Sequence, residues 1–586
     1  MYIVTCIHAS WRRWPLGLMA LSVALLLACG TAAPPGPANS SPPANTDGST
    51  TAPSADQPTP TPAPQATSAP SNVAQGRDEA IVVTEAEPDS VGGWSEGCSG
   101  EIHSIACADA TVDPMGWMDS ATTETVLLSG FTKYEQIEPN RWRYTLREGV
   151  KFHNGEPWNA AAAKVGIDYN GITTNSGTSV NYTGPKHGEL VPGEDMMIDV
   201  VCDDPCPIFP RTAIFDKFLA PQWYESASEE ERASNTISFG PYKIVEYSPG
   251  VHTRMERYED YVTTEPSDGQ APTIQFITHV YRPEATVRAS MLAAGEADWA
   301  ADIGFDEEGR VPQAKVGTTT EVYTLVLDTM WHPELNKQKV RLALAHAIDC
   351  QGLLDSLFGG RVPCHAAIAP SKSVGITPEN SKPREYNPEL ARQLLEEAGY
   401  DPANAIDVNT RPGSNIRGLE LMEAVVSSWR EVGVTSNLNA WSDLGKARDI
   451  QLSGCGQFTD EPGYKENLDC AQRNPPGPYF SGSHAYEIAT SDEILDMQRQ
   501  STTRMGCFSR SSRVCYPDLQ RKIDTATATP AGPERTRLMT EIADIAYEEV
   551  YFIPLFEVQM VYGLSDAVEW EPYYAPRFRG NTIHFK

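Results

Sequence analysis

Ten cysteines fall into five close pairs: Cys98 with Cys107, Cys202 with Cys206, Cys350 with Cys364, Cys455 with Cys470, and Cys507 with Cys515. Thiols paired at such spacings either close short loops as disulfides or ligate a metal. Cys202-Asp-Asp-Pro-Cys206 is the best metal candidate, but no CxxC or HxxxH lies nearby to complete a tetrahedral site. Disulfides are therefore expected, and with them an oxidising compartment. The sequence holds no P-loop, no GxGxxG after a strand and no HExxH. With 78 acidic residues, carboxylate pairs can be drawn almost anywhere and say nothing about glycosidase chemistry. His153, His346 and His365 are scattered and read as structural or surface residues. Binding, which needs no fixed motif, is the expected function, with no cofactor and no metal.

The N-terminus points to export. Arg12 and Arg13 precede an almost wholly apolar run from Pro15 to Ala28, the anatomy of a secretory signal. The run is shorter than the ~20 apolar residues a spanning helix needs. It ends Leu26-Leu27-Ala28-Cys29, which resembles the bacterial lipobox. That resemblance implies a signal peptide over residues 1–28 and a diacylglycerol on the Cys29 thiol. Residues 29–78 then form a tether rich in Pro, Thr, Ser and Ala, too poor in apolar side chains to offset its ordering entropy. The expected location is the outer face of the cytoplasmic membrane, with the lipid as the only membrane contact. Arg12-Arg13 leaves both the general and the twin-arginine export routes open. The formal charge is -32, and loss of the two arginines leaves 44 cationic side chains against 78 acidic ones. Such a surface repels nucleic acid and anionic headgroups.

Residues 79–586 are too many for one hydrophobic core, so at least two lobes are expected. Residues 80–84 read as a strand, and Trp142, Tyr144 and Leu146 alternate with polar residues as in a half-buried strand. Asn159 is placed to cap a helix from Ala160, and Tyr242-Ile244-Glu246 alternate after Gly240-Pro241. Val340, Leu344, Ala347 and Ile348 fall on one helical face with Arg341 on its flank. Asn387-Pro388 opens a helix that Gly399 closes. Leu419 to Trp429 marks a third helix, and Leu538, Ile542 and Ile545 a fourth, feeding a strand from Tyr551 to Phe556. Interleaved helices and strands argue for α/β lobes.

The order of these segments resembles the large extracellular solute-binding proteins of ABC importers, in the branch (family 5) of oligopeptide, dipeptide, nickel and some oligosaccharide binders. The resemblance rests on Trp142 through Gly155, Gly240-Pro241-Tyr242, Gly295-Glu296-Ala297-Asp298, Lys339 through Asp349, Ala391 through Gly399, and Arg535 through Leu555. It implies a two-lobed Venus-flytrap of the periplasmic-binding type with an extra subdomain in the first lobe. Lobe I would comprise 79–120, 236–320 and 553–586, the subdomain 121–235, and lobe II 321–552. It further implies a monomer that closes on a ligand, most simply a peptide, and delivers it to an ABC importer permease. An oligosaccharide or metal–chelate receptor of the same fold is the alternative. A surface-anchored hydrolase of wall polymers and a sensor without a transporter are alternatives of other classes.

The resemblance also names ligand residues. In peptide-binding relatives an aspartate in a glycine-led segment of the second lobe pairs with the peptide ammonium. Here the segment is Gly454-Cys-Gly-Gln-Phe-Thr-Asp-Glu-Pro462, where Phe458 stands in the aspartate's place and Asp460 lies two residues on. Gln457, Phe458 and Asp460 are thus candidates, and a Cys455–Cys470 bridge would stiffen the loop. Trp441 corresponds to a tryptophan that faces ligand in some relatives. Trp117 and Asp119 sit where the first lobe approaches ligand, and Trp331 and Glu557 flank the expected crossovers. Each of these also reads as scaffold.

Overall fold

Two strands rich in β-branched and aromatic residues, Gln313–Leu327 and Phe552–Leu564, run antiparallel through the whole main sheet. The computed structural model describes residues 77–88, 90–94, 105, 110–119, 124–172, 185–262, 271–412, 417–475, 482–572 and 578–586. The described residues belong to one unit, Asn72–Lys586. Cys29 and most of the tether lie outside them. So do Cys98 and Cys107, and the disulfide expected between Cys98 and Cys107 is therefore not among the bridges seen.

The two strands are the middle of a ten-stranded sheet. On one side follow Trp299–Ala300, Glu79–Thr84, Phe276–Tyr281, His252–Arg257 and Tyr242–Ser248. These belong to the first lobe. On the other side Ala485–Ser491, Ile406–Thr410 and Ser436–Ala440 form the second. The register runs regularly from Gln313↔Leu564 to Thr318↔Gln559, slips before Val322↔Glu557, and slips again at Tyr323/Thr324 opposite Pro554. A proline cannot donate to the ladder, so the second irregularity is forced by sequence. Both slips fall where the pair leaves the first group of strands and enters the second, at the joint of the two halves of the sheet.

Each half of the sheet is covered on both faces. In the second lobe the helices Gln338–His346, Pro388–Glu397 and Gly418–Glu431 bury Val340, Leu344, Leu395, Val425 and Trp429 on one face. The helices Pro517–Ala528 and Pro533–Glu549 cover the other with Leu519, Ile523, Met539 and Ile542. In the first lobe Trp299, Tyr562, Trp570 and Phe578 form an aromatic core. A separate four-stranded sheet, Phe131–Glu138, Arg141–Leu146, Met197–Cys202 and Lys186–Leu190, has its own core. There Trp142, Tyr144 and Leu146 point inward, while Arg143 grips Asp199 at 2.7 and 2.9 Å.

The local signals act as their chemistry dictates. Asn159 accepts from the Ala162 amide and Asn387 from the Leu390 amide, each capping its helix. Four of the five expected cysteine pairs fall among the described residues, and all four are disulfides: Cys202–Cys206, Cys350–Cys364, Cys455–Cys470 and Cys507–Cys515. Three readings need correction. Arg341 is not on a helix flank but 1% exposed, donating to the carbonyls of Leu335, Glu549 and Val550 at 2.8, 2.8 and 3.1 Å. It ties its helix to the C-terminal carbonyls of Pro533–Glu549, where a cation is favoured. The strand expected to end at Phe556 continues to Leu564, because it serves both lobes. The helix of Val340 stops at His346, although Ala347 and Ile348 remain buried.

Arg535 and Asp496 form a fully buried bidentate pair at 2.9 and 2.8 Å, and Arg535 also donates to the Ala526 carbonyl. Asp496→Asn strands that guanidinium and is expected to cost about 3–5 kcal/mol in urea unfolding at pH 7. Asp518→Asn, which breaks the exposed pair with Arg521, should leave the midpoint unchanged.

Candidate functional site

Parallel strands of both lobes run toward the joint, ending at Thr84, Tyr281 and Ala300 on one side and at Thr410 and Ala440 on the other. Ligands of open α/β sheets bind outside such carboxyl ends.

The eight sequence candidates occupy separate neighbourhoods. Glu557 lies at the joint opposite Val322, where its carboxylate accepts from the Ser371 amide and stands 3.8 Å from His365 Nδ1. Trp441 directly follows its strand, donates from Nε1 to Asn409 Oδ1 at 2.7 Å and carries the Lys446 ammonium 5.5 Å above its ring. Trp331 and Phe458 pack edge-to-face at 6.3 Å among the buried disulfides Cys455–Cys470 and Cys507–Cys515. Trp331 Nε1 donates to the carbonyls of Cys470 and Arg473, and Gln457 donates to the Leu452 carbonyl. Asp460 is exposed. This cluster lies beyond Leu327, at the end of the crossover strand away from the joint. From Val322 to Leu327 the strand spans about 17 Å, so Phe458 and Glu557 do not share one surface. Trp117 lies beneath the Arg579 guanidinium at 5.1 Å, and half-buried Asp119 donates its amide to the Glu124 carbonyl.

Sequence reading missed the residues most unusual in their chemistry. Glu487, in the strand Ala485–Ser491, is 5% exposed. Its Oε1 accepts from Thr410 Oγ1 at 2.8 Å and the Arg411 amide at 3.1 Å, both at the carboxyl end of the neighbouring strand. Its Oε2 is buried without a partner among the described residues. A Cβ at Gly418 would stand 3.0 Å from that oxygen and 3.1 Å from the Tyr323 hydroxyl, so glycine permits the close approach. Tyr323 stacks on Phe556 at 5.2 Å. These two rings, with Phe305, Phe358 and Gln559, line a cavity of about 20 Å³, room for one water-sized group. Burial pushes the Glu487 carboxyl up to about 7, against the lowering effect of the Arg411 amide. Asp492, just past the same strand, is likewise pushed to about 7 by burial and bonds Ser373 at 2.5 Å. The one sequence signal for Glu487 was an acid between the strand formers Tyr486 and Ile488.

The lobes touch on two sides of the joint. Phe305 of the first packs on Phe358 of the second at 5.9 Å, flanked by the ion pairs Asp306–Arg417 and Glu308–Arg361. Elsewhere Ile494 of the second lobe is buried against Ile208, Ile214 and Met118.

Residues 131–469 match the model of the bacterial extracellular solute-binding proteins, family 5 (middle part). The chain belongs to that family. It is a solute-binding protein of the ABC-importer type, not an enzyme. It is 24% identical over 454 residues to the glutathione-binding protein GsiB of Salmonella typhimurium, covering 75% of this chain and 81% of that one. It is 25% identical over 451 residues to the nickel-binding periplasmic protein of Escherichia coli, covering 72% and 78%. The solved dipeptide-binding protein of a Pseudoalteromonas, in complex with Met-Leu, superposes with a TM-score of 0.67 at 18% identity, covering 87% of this chain and 100% of that one. None of the described helices is long and apolar enough to cross a membrane.

Glu487 has a folded-state pKa above its unfolded value, so the native state binds the extra proton between about pH 4.5 and 7 and loses stability as pH rises through that window. Glu487→Gln should therefore raise the melting temperature at pH 7.5 more than at pH 5, and flatten the wild-type decline between them in a calorimetric pH series.

Proposed function

We propose that this protein is a lipid-anchored receptor that captures a peptide between its lobes for an ABC importer. The observation that carries the ligand class is the Glu487 carboxylate, buried at the carboxyl ends of the second-lobe strands with one oxygen unpartnered among the described residues. A peptide ammonium supplies the charge and the hydrogen-bond donors that this oxygen lacks. Glu487 then takes the role that Phe458 cannot fill and that exposed Asp460 is poorly placed to fill. The glutathione-binding relative supports a small peptide as cargo. The anchor rests on Leu26-Leu27-Ala28-Cys29 at the end of an apolar leader. In this reading the register slips near Thr318–Val322 are the hinge. Lobe I comprises 79–120, 236–320 and 553–586, with the subdomain at 121–235 and lobe II at 321–552. Cys98 and Cys107 close a fifth short disulfide loop in the same reading, on the strength of their spacing and of the four bridges seen elsewhere.

Native mass spectrometry of the purified chain should show a co-purified peptide mass; a saccharide or metal-chelate mass overturns the reading. Calorimetry with trialanine and N-acetyl-trialanine should favour the free amine at least about tenfold, as expected of a charge-assisted hydrogen bond. The preference should grow from pH 5.5 to 8, because the anchor must shed its proton to pair with an ammonium, and should vanish in Glu487→Gln. Cys29→Ser should move the protein from the membrane to the soluble fraction of cells; retention in the membrane counts against the lipid anchor.

A further inference from the structure

The strand Ala485–Ser491 ends in a turn, Asp492 to Asp496, that ties the joint to the four-stranded-sheet body. Asp492 donates its amide to the Thr320 carbonyl at 2.8 Å, inside the register slip between Thr318 and Val322. Val374 donates its amide to the Leu495 carbonyl at 2.9 Å, and neighbouring Ser373 donates from Oγ to Asp492 Oδ2 at 2.5 Å. The same loop donates the Ser371 amide to Glu557, on the other crossover strand at the slip. Between these ties Ile494 reaches across to the other body. It is fully buried and packs on Ile208 and Ile214, on either side of the short helix Phe209–Thr212, whose Phe209 belongs to the core of the four-stranded sheet. Arg211 of that helix donates to the Ile494 carbonyl at 3.2 Å.

Two features make this turn releasable. Leu495 sits at φ 49°, a left-handed conformation costly for a leucine, which the surrounding bonds must hold. Asp492 is fully buried, and its Oδ1 has no hydrogen-bond partner among the described residues. Among the charged groups around it, Asp496 of the same turn is anionic and bonds Arg535. Arg499, in the helix Gln498–Arg504, donates to the Ser491 carbonyl and hydroxyl at 2.7 Å. Glu493 accepts from Ser491 Oγ at 3.4 Å, while Glu321 and exposed Lys372 adjoin Thr320 and Ser373 along the chain. Burial, joined by the Asp496 charge, pushes the Asp492 carboxyl up to about 7, against Ser373, the Asp496 amide and Arg499.

We infer that the turn Asp492 to Asp496 is a latch between the second lobe and the four-stranded-sheet body, shut while the Asp492 carboxyl keeps its proton. A neutral carboxyl is buried at modest cost beside a hydroxyl, whereas a carboxylate without water needs a cation or several donors. Opening the turn hydrates the carboxylate and relieves Leu495. The shut turn binds the proton more tightly than a hydrated aspartate does. Its stabilisation is therefore full below about pH 4 and is lost as pH rises through about 7. In the receptor reading, a latch of this sign strengthens closure on the acid side of neutrality and favours release above it.

Hydrogen exchange of the unliganded full-length chain, read by mass spectrometry and normalised to the intrinsic rate at each pH, tests the latch. Between pH 6 and 8.5, segments 492–496 and 208–215 should lose about tenfold or more in protection relative to the helix Pro517–Ala528. Asp492→Asn, which cannot ionise, should abolish that difference, and Glu487→Gln should leave it in place. Unchanged protection of the turn in the wild type overturns the latch. An equal loss in the helix marks general destabilisation and also overturns it. So does a difference that persists in Asp492→Asn, because another group then titrates. If Asp492→Asn fails to fold, Ser373→Ala decides. That variant removes a donor that favours the carboxylate, so the midpoint of the loss should move to higher pH, and an unmoved midpoint overturns the proposal. The measurement uses no ligand, so each of these failures leaves the receptor reading standing.

Discussion

Everything in this molecule hangs on two strands that belong to both lobes. Gln313–Leu327 and Phe552–Leu564 continue one hydrogen-bonded ladder through the joint. The two halves of the sheet therefore share one ladder, which is imperfect at the joint. That place is set by sequence: Pro554 withholds a donor, and the stretch from Thr318 to Val322 has more residues than its partner can match. A regular ladder would make one stiff sheet, and a severed one would make two independent domains. In the receptor reading the register slips give a sheet that bends without dissociating.

Away from the joint, buried charge is used to lock elements together. Arg341 holds a helix to the carbonyls that precede the second crossover strand, and Arg535–Asp496 pins the helix Pro533–Glu549 beneath it. The Cys455–Cys470 and Cys507–Cys515 disulfides brace the end of the second lobe farthest from the joint. These interactions are saturated: donors and acceptors are matched, so nothing remains to attract a ligand. Glu487 Oε2 is a contrast, one of several buried charged atoms without a partner among the described residues. Saturated buried charge specifies the fold, whereas the open valence of Glu487 at the carboxyl ends of the second-lobe strands is what the peptide reading fills.

The same distinction governs what the sequence made legible. Caps at Asn159 and Asn387 and the alternation of Trp142, Tyr144 and Leu146 are local rules, and each element begins where its chemistry says. Close cysteine spacing likewise determined pairing at the four described bridges, because short loops offer few competing partners. Arg341 defeated the reading because helical periodicity places a charge near solvent, while tertiary packing brought a helix terminus to meet it. Strand length failed at Phe556 since nothing local announces that a strand will serve a second lobe. Glu487 looked like one acid among 78. Whether a charge is satisfied or unsatisfied is a property of its neighbours in space, which spacing along the chain does not encode.

The contacts that join the lobes around the joint explain why ligand can decide their state. Asp306–Arg417 and Glu308–Arg361 keep between a third and three quarters of their side chains in water, and ion pairs so exposed add little stability. The Phe305–Phe358 contact and the Ile494 cluster are each small. In the receptor reading, opening the lobes exposes modest apolar area and breaks weak pairs, so little free energy separates the two states. A solute held between the lobes then shifts their population by whatever extra contact it makes in one state over the other.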